Sequence, residues 1–236
     1  MVIFNENQGR YGYRRITAEM KNRGYRINHK TVQKLMQQSG LRSRKPKVKY
    51  RSYKGQTGRT APNILCRNFN ADTLNSKWVT DVTQINIGSE KLYLSPIIDL
   101  FNGEVISYNI SKSPNLKQIW NMPDKAFRRF SNLEGLIIHS DQGWQYQHRE
   151  YRTRLEKKGI IQSMSRKGNC LDNAMAENFF GRMKTELLYT KNFKSSQAFI
   201  KALKEYIDYY NNRRIKLKLN GMSPIQYRNM FSNKIS

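Results

Sequence analysis

The sequence predicts an α/β protein in which a mixed five-stranded sheet flanked by helices follows a small helical, helix-turn-helix-like segment. Three observations predict it. Residues 77–87, 91–101 and 104–110 are successive β-rich runs. After them helical and strand-like stretches alternate, which implies a parallel crossover. Before them, residues 1–68 carry 17 Lys+Arg against 2 acids and hold two short helical patterns. The boundaries read as a helix-turn-helix-like segment over 1–42, a basic linker over 43–67 and a sheet domain over 68–232.

In the first segment, residues 13–23 and 30–39 have apolar positions at helical spacing: Ile16 and Met20, then Val32, Leu35 and Met36. Asn28 is placed as an N-cap, and Gly24 and Gly40 end the helices. Residues 43–60 hold seven basic residues and no acid, with Pro46, Gly55 and Gly58, a composition that cannot bury a core. It reads either as a solvated tether or as a basic arm lying along phosphates. The second and third β-runs are joined by Asn102-Gly103, a strong hairpin signal. A helix over 116–130, a strand over 135–139, a helix over 149–158 and a strand over 160–164 follow. A Gly- and Asn-containing loop (166–173) leads to a long helix over 174–188, and another helix covers 196–210.

The formal charge of +26 across 236 residues, with a pI near 10.2, points to a polyanionic partner, nucleic acid first. A composition of 38% hydrophobic and 11% aromatic residues is enough to bury a core and excludes global disorder. No apolar run approaches the roughly 20 residues of a membrane span, so a soluble, cytoplasmic protein working at the nucleoid is expected. Cys66 and Cys170 lack partners at zinc-ligand spacing, which argues against a zinc finger and a disulfide scaffold.

Phosphoryl transfer by two metal ions needs acidic oxygen ligands from distant positions converging on one spot. Asp81 lies within the first β-run, Asp141 just after the strand ending at His139, and Glu177 in the first turn of the helix after the loop. Each also has an ordinary structural reading, as a strand-edge residue, a helix cap and a macrodipole partner respectively. Their joint placement selects them, with Thr80 and Thr83 around Asp81 and Gln142-Gly143 after Asp141. Lys184 falls seven residues after Glu177 on the same helix face, with Arg182 and Asn173 nearby, so these three are candidate phosphate contacts. Arg14, Arg15, Lys30 and Lys34 on the two N-terminal helices, and Arg44, Lys45 and Lys47 in the linker, are candidate DNA contacts. Asp99, Asp172 and Glu186 rank below the chosen carboxylates: Asp99 precedes the hairpin turn, Asp172 reads as a helix cap, and Glu186 points away from Glu177. His139 and His148 offer acid–base chemistry but no hydrolase motif. Trp144, Tyr146 and Tyr151 read either as core or as a base-stacking group.

At these residues the chain resembles a known family. WVTDVTQI (78–85), HSDQGWQY (139–146) and SRKGNCLDNAMAENFFGRMKTE (165–186) are similar to the catalytic signatures of bacterial transposases of insertion-sequence family three. These belong to the retroviral-integrase-like DDE superfamily. YGYRRI (11–16), the run 31–41, YNNRR (210–214) and MSPIQY (222–227) resemble the same family, so the similarity spans residues 9–230. The resemblance implies a ribonuclease H-like integrase core in which Asp81, Asp141 and Glu177 bind two Mg²⁺ or Mn²⁺ ions. It implies cleavage that frees a 3′-hydroxyl at the element's end, then attack of that hydroxyl on another phosphodiester. The implied partners are the element's terminal repeats, a target duplex, further copies of the chain on paired ends, and a DNA-binding product of an upstream reading frame. Where many relatives carry Pro-His after the YNNRR-like run, this chain has Ile215-Lys216-Leu217, so no histidine role carries over.

Two other functions fit parts of the same pattern. A DNA-occupying regulator would use residues 11–40 and the basic linker without catalysis, and a structure-specific or RNA-cleaving nuclease would use the same fold and ions. The intact carboxylate triad favours an enzyme over the first, and the signatures favour a transposase over the second.

Overall fold

The computed structural model describes residues 1–44, 60–113, 116–130, 132–166 and 170–233 of the chain. Two compact units form: 1–48 with 182–192 and 203–236, and 49–181 with 193–202. Each draws on separate stretches of sequence, so the linear division at residues 42 and 67 does not coincide with them.

The second unit is built on a mixed sheet of six strand segments: β1 (Lys77–Thr80), β2 (Thr83–Ile87), β3 (Glu90–Asp99), β4 (Val105–Ser111), β5 (Ile137–Ser140) and β6 (Ile161–Met164). The five expected strands become six segments because the first run is interrupted at Asp81-Val82. Its register against β3 does not slip: Thr80 faces Ile97 and Thr83 faces Leu94. The Val82 amide donates instead to Asp81 Oδ1 at 2.8 Å, a bond to a neighbouring side chain that takes the place of a ladder bond.

β4 joins the other side of β3 through the Asn102-Gly103 turn, where Gly103 adopts φ +69° and its amide donates to the Asp99 carbonyl. β5 lies parallel to β1, and β6 parallel to β5. Between them run α4 (Leu116–Arg129), α5 (Trp144–Gln147) and α6 (Arg149–Glu156). The four-residue α5 is too short for its periodicity to be seen in sequence. Trp78, Met122, Leu136, Ile138, Tyr146, Tyr151 and Leu155 form one buried core.

Residues 60–67, expected to end the linker, are docked on this unit. The Ile64 and Leu65 amides both donate to Ser163 Oγ on β6, at 2.9 and 3.2 Å, and Leu65 is buried. Lys45 and Lys47 lie outside the described residues.

The other unit is helical: α1 (Val2–Glu6), α2 (Tyr13–Asn22), α3 (His29–Gln38), the end of α7 (Ala174–Glu186), the later part of α8 (Ser196–Asn212), and α9 (Pro224–Ser232). Asn28 caps α3 as its sequence predicts, its side chain accepting from the Lys30 amide at 2.8 Å, and Gly40 follows at φ +66°. Tyr11, Ile16, Val32, Met36 and Ile215 share a core.

Partners nearly the whole chain apart meet here. Tyr11 Oη accepts from the Ile215 amide at 2.8 Å, and Tyr209 Oη donates to Asn7 at 2.8 Å. At the centre Glu186, buried, receives Arg214 through two bonds of 2.8 and 2.6 Å and the Tyr206 hydroxyl at 3.0 Å. The helix-turn-helix-like segment is therefore completed by the C-terminal helices.

The start of α9 carries a reciprocal cap: Ser223 Oγ accepts from the Gln226 amide, and the Gln226 side chain accepts from the Ser223 amide. Ser223→Ala is expected to lower stability by about 1 kcal/mol, read as a lower denaturant midpoint at unchanged slope.

Candidate active site

Two aspartates are aligned by the sheet itself. In the parallel pair, Val79 of β1 lies beside His139 of β5, so Asp81 and Asp141, each two residues further on, leave the same end of neighbouring strands. Asp81 is 6% exposed. Asp141 Oδ1 accepts from the Gly143 amide at 3.0 Å, which fixes its carboxylate across the turn into α5. Burial raises the Asp141 carboxyl above its ordinary value, against the opposing bond from Gly143. Beneath the pair sits fully buried Tyr146, its hydroxyl 3.3 Å from Thr80 Oγ1. Burial, then the charges of Asp141 and Asp81, push this phenol far up.

The third carboxylate comes from α7. Asn173, immediately before the helix, is buried, and its amide donates to the Thr80 carbonyl at 3.3 Å, next to Asp81. Glu177, four residues later, stands on the same side of the helix one turn along. It is half-buried, and burial raises its carboxyl. Among the described residues no three His, Cys, Asp or Glu side chains stand close enough to grip an ion as they are placed. The donor set is nevertheless of the right chemistry for Mg²⁺ or Mn²⁺: hard oxygens only, two of them aligned by register, in surroundings that disfavour uncompensated negative charge.

Gly143 lies close to the Asp141 and Gln145 side chains. A Cβ there would lie 2.9 Å from Asp141 Oδ1 and against the Gln145 amide group. Gly143→Ala is therefore expected to displace the Asp141 carboxylate and to lower the rate of strand cleavage about 100-fold or more, with thermal stability little changed.

The other candidates separate into distinct environments. Lys184 lies two turns beyond Glu177 on α7, and both it and Arg182 are half-buried. Asn173 is engaged with Thr80 inside the protein. Arg15 donates to the Arg10 carbonyl at 3.1 Å, lies over the Tyr11 ring, and stands 3.8 Å from Glu186, so it serves the interior of the helical unit. Arg14, Lys30, Lys34 and Arg44 are exposed.

His139 is buried, with Nδ1 2.8 Å from Ser163 Oγ, and burial lowers its pKa against the opposing influence of Asp172. His148 caps α6. Tyr146 and Tyr151 are core residues packed edge-on at 5.6 Å, whereas Trp144 is 53% exposed. Asp172 is not a helix cap: it is fully buried and bonded by Arg166, Arg67 and Asn63. Its two arginines, one of them 105 residues away, left no local signal of this role.

A mixed sheet whose neighbouring parallel strands lead into two aspartates, with a glutamate on α7 beyond the last strand, is the arrangement of a ribonuclease H-like polynucleotidyl transferase of the integrase type. Residues 72–170 match the integrase core domain family, 177–231 a second integrase core domain family, and 1–49 the HTH-like domain family. The chain is 53% identical, over 96% of its length and 80% of the relative's, to the transposase InsK of insertion sequence element IS150 from Escherichia coli K12. It is 35% identical, over 94% of its length and 89% of the relative's, to the transposase for insertion sequence element IS904 from Lactococcus lactis subsp. lactis. It belongs to the insertion-sequence transposases of insertion-sequence family three, within the retroviral-integrase-like DDE superfamily.

Two solved structures share the fold. The HTLV-2 integrase catalytic core domain in complex with magnesium matches with a TM-score of 0.51 at 20% identity, over 65% of this chain and 95% of that one. A chain of the simian T-cell lymphotropic virus intasome in complex with PP2A regulatory subunit B56 gamma matches with a TM-score of 0.52 at 18% identity, over 85% of this chain and 66% of that one. Among the described residues no helix is long and apolar enough to cross a membrane.

Proposed function

We propose that Asp81, Asp141 and Glu177 hold two Mg²⁺ or Mn²⁺ ions and that DNA strands are cut and joined there during transposition of an insertion sequence. The observation that carries this is the register of β1 and β5, which sets Asp81 beside Asp141, with Asn173 holding the start of the glutamate helix to Thr80. When bound, two such ions activate the attacking oxygen and offset charge on the leaving one. The chain's own residues do the rest. Asp81 and Asp141 supply oxygen ligands from a rigid sheet, and Glu177 closes the set from α7. Gly143 keeps the turn beside Asp141 narrow, and buried Tyr146 excludes water from beneath the aspartates.

Lys184 and Arg182, near the end of α7, are suited to DNA phosphates. Exposed Arg14, Lys30, Lys34 and Arg44, with Lys45 and Lys47 beyond, supply phosphate contacts from the N-terminal part. Arg15 and Asn173, engaged inside the protein, support the scaffold instead. The partners in this reading are the element's terminal repeats, a target duplex, other copies of the chain on paired ends, and an upstream-frame DNA-binding product. Its place of work is the bacterial cytoplasm, at the nucleoid.

The test is cleavage and joining of labelled duplex carrying the source element's own ends, with Mg²⁺ or Mn²⁺, by wild type and by Glu177→Gln. Products from wild type alone support the reading. Equal products from both overturn it.

A further inference from the structure

Asp172 lies in the 3₁₀ turn Cys170–Asn173 that leads into α7, and it is fully buried. Its carboxylate accepts from Arg166 Nε and Nη2 at 2.9 and 3.0 Å, from the Arg166 amide at 3.1 Å, from Arg67 Nε at 2.8 Å and from Asn63 Nδ2 at 3.0 Å. Three stretches of chain meet on it: the docked residues 60–67, the exit from β6, and the entry to the helix of Glu177. So many donors, two of them guanidinium groups, make this the kind of buried charge that stays ionised and holds its partners in one arrangement.

The backbone bends to reach it. Cys66 and Arg67 are consecutive non-glycine residues at φ +45° and +63°. Left-handed conformations of this sort persist where surrounding contacts over-determine them. Here the contacts are the Cys66 amide on Asn63 Oδ1 at 2.9 Å and Arg67 on Asp172. The next residue after Asp172 is Asn173, bonded to the carbonyl of Thr80. Asp172 and Asn173 thus pin the helix start from two directions, outward to the arginines and inward to Thr80 at the end of β1, next to Asp81.

We propose that Asp172 is a positioning residue whose contacts with Arg166, Arg67 and Asn63 fix the start of α7 so that Glu177 faces the two aspartates. The inference rests on the reading of Asp81, Asp141 and Glu177 as the metal site. It extends the machinery of that site to Asp172, a side chain fully buried away from it.

The experiment uses the full chain. In Asp172→Asn, hydrogen–deuterium exchange of the amides of residues 174–180 is expected to quicken about tenfold, while that of β3 and β4 stays at the wild-type rate. Mn²⁺ affinity, read by water-proton relaxation without DNA, is expected to fall about 10–100-fold. Leu155→Ala, in the core of the same unit, controls for general loosening and is expected to leave both readings near wild type.

If Asp172→Asn does not fold, Arg67→Ala decides with the same two readings, because Arg166 still holds and neutralises the Asp172 carboxylate while one of the contacts on it is lost. Wild-type exchange in α7 overturns the proposal, as does an equal change in Leu155→Ala. Should wild type itself bind no Mn²⁺, the metal reading falls, and exchange in α7 alone still decides for or against the pinning role.

Discussion

Glu177→Gln is expected to abolish metal-dependent strand cleavage, by about 10³-fold or more, while affinity for end-containing duplex stays within about twofold. The substitution keeps the shape and polarity of the side chain and removes only its charge. Glu177 is half-buried on α7 and its carboxyl is raised by burial, so its ionised form is stabilised most when a cation is near. In the proposed function DNA affinity rests on a different set of residues. The exposed Arg14, Lys30, Lys34 and Arg44 belong to the helical unit, so binding and its salt dependence should survive in the variant. The check is a gel assay for cleaved and joined strands beside a binding titration at several salt concentrations. Parallel loss of binding and cleavage would count against the assignment of Glu177 to chemistry.

The second large effect is on stability. Arg214 and Glu186 are an ion pair with side-chain exposures of 2% and 7%. Arg214→Met is expected to cost about 3–5 kcal/mol, because it leaves the Glu186 carboxylate buried without its main counter-charge. Combining it with Glu186→Leu should recover much of that loss, since no charge then remains uncompensated. Chemical denaturation of the two single variants and the double variant measures the coupling.

The pair also sets an acid limit. Burial pushes the Glu186 carboxyl up, but the hydrogen bond and charge of Arg214, the charge of Arg15 and the Tyr206 hydroxyl outweigh it and leave it below the ordinary 4.5. The folded form therefore binds this proton less readily than the unfolded form. The associated stability is fully present above about pH 5 and is lost as pH falls through the folded value. In Glu186→Gln the acid limb of stability against pH should be shallower than in wild type.

The parts of this protein legible in its sequence are those whose signal is local. Asn28 caps α3, Asn102-Gly103 turns β3 into β4, and the alternation after the hairpin gives the parallel pairing of β1 with β5. The joint placement of Asp81 and Asp141, with Thr80 and Thr83 around the first and Gln142-Gly143 after the second, makes them candidates, and the first turn of the helix after the loop adds Glu177. What stayed hidden depends on partners far along the chain. Asp172 reads locally as a cap, and its arginine partner at position 67 lies in a stretch whose composition suggests a linker.

Glu186 reads only as a residue pointing away from Glu177, because α7 says nothing of Arg214. Arg15 looks like a DNA contact by charge alone, yet Glu186 and the Tyr11 ring claim it. Asn173, chosen for its closeness to Glu177, is close for another reason: it ties the helix to the strand. The break at Asp81-Val82 was equally invisible, since it arises from a single side-chain bond inside an otherwise continuous β pattern.

The meeting of Tyr11 with Ile215, and of Asn7 with Tyr209, sets an order on the ribosome. The sheet unit has all its parts once residue 202 has emerged, whereas residues 7 and 11 must wait for their partners at 209 and 215. At about 5–20 residues per second the wait is on the order of 10–40 s. Throughout it the most basic quarter of the protein hangs on the ribosome with its inner face bare. A nascent chain stalled before Ile215 would therefore present a finished sheet and an unfinished helical unit, and would be a ready target for chaperones and proteases.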